Sequence, residues 1–320
     1  MIRSLDALII GGLGLVGVNL YKFYRGKGYN VAVIDNCSGD NLDNLKEIDA
    51  RDFFFCDIRD NAKLRDVIAC HPARYVYVLA AHFANQNSVD YPVTDCEINV
   101  LGQVNILSAI SSLPESSRPH SLFYASSSCV YGAALAEAEG AQVYPTETPY
   151  AINKFTGELY YSYLHERTGI GIVIGRLFNV FGPHERASKY RNVIPNFVHN
   201  ALQGGVITIT GSGAETRDFT YVMEAVKSIV DLTENGAGAL EVYNIGTGCE
   251  TGIKDLASRI IELCGNSATL QYVERRDWDV VSRRKANLDK LKASGRHVPL
   301  SNMEESLALT VAWYKSVLGT

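Results

Sequence analysis

The apolar positions of this chain fall into two rhythms. Short runs rich in β-branched and aromatic residues occur at Leu8–Ile10, Val31–Ile34, Phe53–Cys56, Tyr75–Leu79, Leu122–Tyr124 and Ile172–Ile174. Between them, apolar residues recur at spacings of three and four: Leu15, Val16, Leu20 and Phe23, then Leu64, Val67 and Ile68, then Ile98, Leu101, Val104 and Leu107. Strands alternating with helices of this length predict βαβ units. Runs that are apolar on both faces predict a parallel sheet covered by helices on both sides. Beyond Asn179 the rhythm loosens, and Phe181 to Arg191 reads as a polar loop. A helix at Val193–Leu202, a strand at Val206–Thr210, a glycine-rich turn at Gly211–Gly213 and a closing helix at Met303–Leu318, capped by Ser301, are expected after it. The fold class is therefore α/β with a doubly wound parallel sheet.

Composition narrows the function. A chain of 320 residues with 47% apolar content has room for two domains. Its net charge of −5 is spread without long blocks of one sign, which argues against a nucleic-acid partner. The run from Tyr75 to Ala81 falls far short of the ~20 apolar residues needed to span a membrane. The opening Met-Ile-Arg-Ser-Leu-Asp has an acid where a signal peptide would be apolar. Cysteines stand singly at 37, 56, 70, 96, 129, 249 and 264, an odd number with no Cys-x-x-Cys. Reduced thiols in a cytoplasmic enzyme fit that pattern better than a disulfide framework. No cluster has metal-ligand spacing, so no metal is expected.

The strand at Leu8–Ile10 runs into Gly11-Gly12-Leu13-Gly14-Leu15-Val16-Gly17, which opens a helix. Gly11, Gly14 and Gly17 fit G-x-x-G-x-x-G, and Gly12, Gly14 and Gly17 also fit G-x-G-x-x-G. Such a turn lets the backbone approach a pyrophosphate while the helix N-terminus offers N–H groups and positive dipole. Asp35 lies eighteen residues beyond Gly17, where a carboxylate would hold the adenosine ribose. The following Asn36, Cys37, Ser38 and Gly39 include no arginine for a 2′-phosphate, so NAD is expected rather than NADP. Asp57 and Ile58, after the third strand, are candidates to flank the adenine.

Tyr150 and Lys154 share one helix face, with Pro149 at the helix start. A phenol is a poor base at neutral pH unless its phenolate is stabilised, which a neighbouring ammonium and a cationic nicotinamide would both do. Tyr150 could then exchange a proton with a substrate hydroxyl as the cofactor takes hydride from the same carbon. Upstream, Tyr124-Ala-Ser126-Ser127-Ser128-Cys129-Val-Tyr131-Gly132 ends a strand in hydroxyls able to share that oxygen.

Together these motifs resemble the extended short-chain dehydrogenase/reductases of the nucleotide-sugar epimerase/dehydratase family, of the UDP-glucose 4-epimerase kind. The likeness continues through Asn99 in Glu-Ile-Asn-Val-Leu-Gly, Arg176-Leu-Phe-Asn-Val-Phe-Gly-Pro183, Val193-Ile-Pro195, Thr216-Arg-Asp-Phe-Thr-Tyr-Val222 and Tyr243-Asn-Ile-Gly246. It implies a Rossmann NAD-binding domain over 1–178 with a return segment near 219–247. A smaller mixed α/β substrate-binding domain would comprise 179–218 and 248–320. It also implies NAD contacts from Leu79, Ala80, Ala81, Asn99 and Ser126, and a nucleotide-diphosphate sugar as substrate. That substrate would be held by His82, Ser127, Ser128, Asn179, Val193, Arg217 and Arg276. A homodimer built on helices near 94–110 and 150–166 is expected on the same ground.

Counted back from Tyr131, the family's catalytic hydroxyl falls on Ser127. Where 4,6-dehydratases and several decarboxylases carry a glutamate this chain has Cys129, preceded by Ser128 in place of an aspartate, which counts against dehydration. A cysteine there resembles the GDP-mannose 3,5-epimerase group, but that group's partner lysine has no match, Lys189 and Arg191 being out of register before Pro195. Cys129 is thus either a thiol acid/base or a small residue filling space. His82, Asn85, Gln86 and Asn87 are either sugar ligands or a polar loop, and His184, Glu185 and Arg186 either touch substrate or are solvated. The expected reaction is 4-epimerisation through a transient 4-keto sugar. The alternative is C3/C5 epimerisation, or elimination, using Cys129 after the same oxidation.

Overall fold

A computed structural model of the chain describes residues 5–39, 41–133, 138–141, 143–265 and 267–319. The first half alternates as expected: β1 (Leu5–Ile10), α1 (Leu15–Gly26), β2 (Val31–Asp35), β3 (Phe53–Phe55), α2 (Asn61–Cys70), β4 (Ala73–Val78), α3 (Asn85–Asp90), α4 (Pro92–Cys96), α5 (Gln103–Ser111), β5 (Ser121–Ser127), α6 (Pro149–Thr168) and β6 (Gly171–Leu177). The second half holds β7 (Val180–Phe181), α7 (Val193–Leu202), β8 (Val206–Thr210), β9 (Thr216–Arg217), β10 (Thr220–Tyr221), α8 (Val222–Glu234) and β11 (Leu240–Ile245). Then come β12 (Thr251–Gly252), α9 (Ile253–Cys264), β13 (Thr269–Val273), β14 (Arg283–Arg284), α10 (Asp289–Ala293) and α11 (Met303–Leu318).

Seven strands form one parallel sheet in the order β11-β6-β5-β4-β1-β2-β3. Its central strands are buried on both faces, as their unbroken apolar runs require. One face carries Ile9, Val33, Tyr77, Phe123 and Val173 against α1 and α8; the other carries Ile10, Ile34, Val78, Tyr124 and Ile174 against α2, α5 and α6. Strand order reverses between β1 and β4, so the crevice at their carboxyl ends is where a ligand can enter. A third apolar cluster, including Phe181, Ile194, Phe197, Ile209, Leu256, Leu307 and Tyr314, gathers the later elements around the pairs β8–β13 and β7–β10.

Two local expectations change. The stretch containing Ile98, Leu101, Val104 and Leu107 is not one regular helix, because Glu97–Gly102 forms a π-helical turn before α5. The wider turn rotates the following face, and Leu101 is left exposed while Leu107 is buried. The residue at the head of α11 is Asn302, not Ser301, and no side chain caps that helix. No helix among the described residues is long and apolar enough to cross a membrane.

Candidate active site

The turn between β1 and α1 is shaped by glycine in two senses. Gly11 has φ +88°, and a Cβ there would lie 2.3 Å from the Ala80 nitrogen, so only glycine lets β1 and the end of β4 close up. At Gly17 a Cβ would meet the Gly11 carbonyl at 2.6 Å, which fixes α1 against the turn. Gly14 differs: its nearest neighbour would be the Gly11 carbonyl at 3.5 Å, so this face opens outward. Gly14 also begins α1, and no side chain caps it. An open cradle beneath an uncapped helix N-terminus suits a dinucleotide's pyrophosphate, with Leu15 and Val16 in the first turn.

Asp35, at the end of β2, accepts from the Leu13 N–H at 3.0 Å and the Cys37 N–H at 2.9 Å. Burial pushes its pKa up and those backbone donors pull it back. The neighbouring residues are tied together: Asn36 donates to Asp57 at 2.8 Å, Ser38 to Asn36 at 2.7 Å, and Asp57 takes both arms of the Arg59 fork. Ile58 lies beneath Gly102, where a Cβ would strike its Cδ1 at 2.6 Å. The Leu79 and Ala80 N–H groups both donate to the Ile10 carbonyl, and Gln103 donates to the Ala80 carbonyl. Ala81 follows in the same loop, and a Cβ added at Gly39 would meet only Arg191 Nη2, at 3.9 Å.

Asn99 turns inward: it accepts from the His82 N–H and donates to the His82 carbonyl and to Asp95. The His82 ring meets Asp95 at 3.1 Å, and Asn153 donates to the other Asp95 oxygen at 2.8 Å. Asp95 is fully buried, so it fastens the loop after β4 to α6.

The start of α6 follows from Thr148 and Pro149. Thr148, in extended backbone, accepts from the Ala151 N–H, and Pro149 needs no donor in the first turn. Tyr150 lies in that first turn, its N–H donated to Ser88. Lys154 lies one turn on, its Nζ 5.8 Å from the Tyr150 ring centroid and 2.8 Å from the Ala125 carbonyl. Burial drives the Lys154 pKa down to about 8, against the pull of Asp95, Cys129 and Glu158. Burial likewise drives the Tyr150 phenol upward, with Cys129 and Asp95 adding to it and a hydrogen bond with Ser127 opposing. Ser127 in turn accepts from the Cys129 N–H at 3.2 Å. Ser126, expected beside the cofactor, points the other way because adjacent strand residues face opposite sides of the sheet. Its hydroxyl donates to Glu158, which also takes the buried Arg176 fork at 2.9 and 2.7 Å.

Beside this cluster is a cavity of about 100 Å³, lined among others by Asn85, Ser128, Cys129, Asn179 and Arg217. The Cys129 sulfur accepts from Asn85 at 3.4 Å, and Thr148 donates to the same amide's oxygen at 2.8 Å. Asn179, at φ +30°, donates to the Asp218 carbonyl. Arg217 reaches the Thr216 and Val281 carbonyls and Asp279; burial lowers its pKa, against Asp279. Arg276 is exposed and stacks over Trp278, whereas Arg275 turns inward to Asp279 at 3.6 Å and Ser282. Trp278 donates across the cavity mouth to Gln86 at 2.9 Å. Val193 begins α7 and packs on the third apolar cluster.

Two residues that motif reading missed shape this wall. Arg284 is buried and donates to the Ser128 and Gly132 carbonyls, holding the turn that carries Cys129. Glu147 lines the cavity. Neither reading of 184–186 describes them well. His184 packs on Trp313, Glu185 is buried with its pKa pushed up to about 7, and Arg186 pairs with Asp43 at 2.6 Å. No group of His, Cys, Asp and Glu among the described residues is arranged to hold a metal.

Residues 7–246 match the model of the NAD dependent epimerase/dehydratase family. The chain is similar in structure to an epimerase of Methanothermobacter thermautotrophicus, with 36% identity and a TM-score of 0.90 over 99% of this chain and 94% of that one. It is 28% identical to the UDP-glucose 4-epimerase of Mycolicibacterium smegmatis over 318 residues, 97% of this chain and 98% of its relative. It is 27% identical to the UDP-N-acetyl-alpha-D-glucosaminuronate decarboxylase of Bacillus cytotoxicus over 323 residues, again 97% and 98%. The cradle at Gly14 and the family agree on NAD as cofactor, and the chain belongs to the NAD-dependent epimerase/dehydratase family.

Proposed function

We propose that the chain is a nucleotide-sugar 4-epimerase. The observation that carries this reading is the meeting of Ser127, Tyr150 and Lys154 next to the turn that places Cys129, a thiol instead of a carboxylate, in a cavity wall. Bound NAD supplies the hydride acceptor and returns the hydride. Tyr150 takes the proton of the sugar O4 as C4 is oxidised, and Ser127 shares that oxygen. An ammonium on Lys154, one helical turn away, and a cationic cofactor would both favour the phenolate against the burial and the neighbouring charges that raise the phenol. Arg217 and Asn179 hold the diphosphate at the cavity's other end, where an arginine fork suits phosphate oxygens. The 4-keto sugar turns over so that hydride would return to the other face of C4, and Tyr150 gives the proton back to O4.

A second reading keeps the oxidation and uses the Cys129 thiol on C3 or C5, because the sulfur lies in the cavity wall beside Asn85. NMR of products from UDP-, GDP-, CDP- and dTDP-sugars in D2O separates the two. A C4 epimer without carbon-bound deuterium supports 4-epimerisation; deuterium lost in Cys129→Ala supports the second reading; a product unchanged at C4 refutes the first. Tyr150→Phe should lower kcat ~10²- to 10⁴-fold. A homodimer is proposed with it, on the exposed apolar residues Leu101, Ile152, Leu159 and Tyr163 along the π-turn and α6.

A further inference from the structure

The cavity carries a carboxylate that the family motifs do not single out. Glu147 stands three residues before Tyr150 and lines the same space as Cys129 and Arg217. Its Oε1 accepts from the Ala133 N–H at 2.9 Å and its Oε2 from the Thr146 N–H at 3.0 Å. These bonds fix the group in place but bring no positive side chain to it. Gly132, at φ +56°, makes room for it, since a Cβ there would lie 2.5 Å from Oε1. The arginines of the cavity donate to backbone carbonyls. Arg284 donates to the Ser128 and Gly132 carbonyls, and Arg217 to the Thr216 and Val281 carbonyls. The other lining carboxylate, Asp279, is matched by Arg217 at 3.4 Å and Arg275 at 3.6 Å. Glu147 has no such match among the described residues.

We infer that Glu147 is a specificity residue: it accepts a hydrogen bond from a hydroxyl or amide of an uncharged sugar and turns away sugars bearing a carboxylate at C5. This rests on the proposed reading of the cavity as the sugar site. A uronate brought beside Glu147 meets a like charge, and gives up hydration without gaining a donor from it. A neutral hexosyl or N-acetylhexosaminyl group supplies the donor that Glu147 is placed to accept. Decarboxylation, which needs the carboxylate, is disfavoured by the same wall.

The test is calorimetric titration of the full-length, NAD-loaded protein with UDP-glucose against UDP-glucuronate and GDP-mannose against GDP-mannuronate. For the nucleotide that binds, the hexose should bind at least ~10-fold more tightly than its uronate. Glu147→Gln, neutral and of equal size, should reduce that ratio below about threefold by strengthening uronate binding. Glu147→Ala should shift the ratio in the same direction. A uronate that binds the wild type as tightly as the hexose overturns the inference, and that measurement requires no variant to fold. A ratio unmoved by Glu147→Gln overturns it as well. Equal binding with epimerisation of the hexose leaves the proposed function standing, whereas no binding by any nucleotide sugar removes both.

Discussion

Lys154 bears a conflict that can be measured. Its side chain is 2% exposed, and its one hydrogen bond goes to the Ala125 carbonyl. Burial outweighs the attraction of Asp95, Cys129 and Glu158, taking the pKa from 10.5 to about 8. At ~1.4 kcal/mol per pH unit, the buried charge costs the fold about 3 kcal/mol. The sign follows from proton binding. Below pH 8 both folded and unfolded chains hold the proton, and the cost is full. Between pH 8 and 10.5 only the unfolded chain holds it, so stability rises with pH; above 10.5 the cost is gone. Replacing the group by an uncharged chain of similar length, Lys154→Met, removes this dependence. Urea unfolding of both proteins at matched cofactor content, at pH 7 and pH 10, should show the wild type gaining about 2 to 3 kcal/mol on the variant. The unsatisfied Ala125 carbonyl in the variant adds an offset that does not vary with pH. A difference that stays constant between the two pH values would refute the reasoning, because it would mean that the ammonium is solvated or fully compensated.

Three further substitutions test the remaining framework. Gly11→Ala forces a Cβ to 2.3 Å from the Ala80 nitrogen at φ +88°, and should cost more than ~2 kcal/mol together with bound NAD. Gly14→Ala, at φ −67° with no close neighbour, should leave stability within ~1 kcal/mol yet deplete NAD, which quantifying the cofactor released on unfolding would check. Equal stability losses would show that the cradle at Gly14 is not open. Glu185 has its pKa raised from 4.5 to about 7, chiefly by burial, with Arg191 opposing. For an acid raised this way the cost is absent below pH 4.5, grows to pH 7 and is full above it. Glu185→Gln should therefore gain about 3 kcal/mol on the wild type between pH 4.5 and pH 8 in thermal or urea unfolding, and a flat difference would count against a buried carboxylate.

The fold was legible where one physical rule acted alone. Short, continuous, β-branched apolar runs between turn signals fit strands buried on both faces, and the glycines after β1 allow the positive φ and the close approach to Ala80 that a tight turn into a helix needs. Tyr150 and Lys154 were legible for a similar reason, since Pro149 and the four-residue spacing act within one helix. Facing was harder to read. Ser126 and Ser127 are chemically alike, and only their alternation along β5 sends one to Glu158 and the other to Tyr150 and the Cys129 N–H. Arg275 and Arg276 are the same residue type, and the chain path beside Asp279 selects the first. The π-turn at Glu97–Gly102 leaves Leu101 exposed, and the three- and four-residue spacing of apolar positions did not announce it.

What sequence reading could not reach were partners set by long closure of the chain. Arg284 meets the Ser128 carbonyl across 156 positions, and Tyr24 meets Glu234 across 210. Such contacts explain why the site tolerates its buried charges. Asp95 joins His82, Asn99 and Asn153, and its charge opposes the desolvation of Lys154. One carboxylate therefore orders the loop after β4 and also keeps an ammonium charged near neutral pH one turn from Tyr150. An uncharged residue at position 95 could fasten the loop through hydrogen bonds alone. It would not add to the field, shared with Cys129 and Glu158, that holds the Lys154 proton. The acid at position 95 therefore acts in two directions, favouring the Lys154 ammonium while opposing the Tyr150 phenolate, and the cofactor's positive charge has both to work with and to work against it.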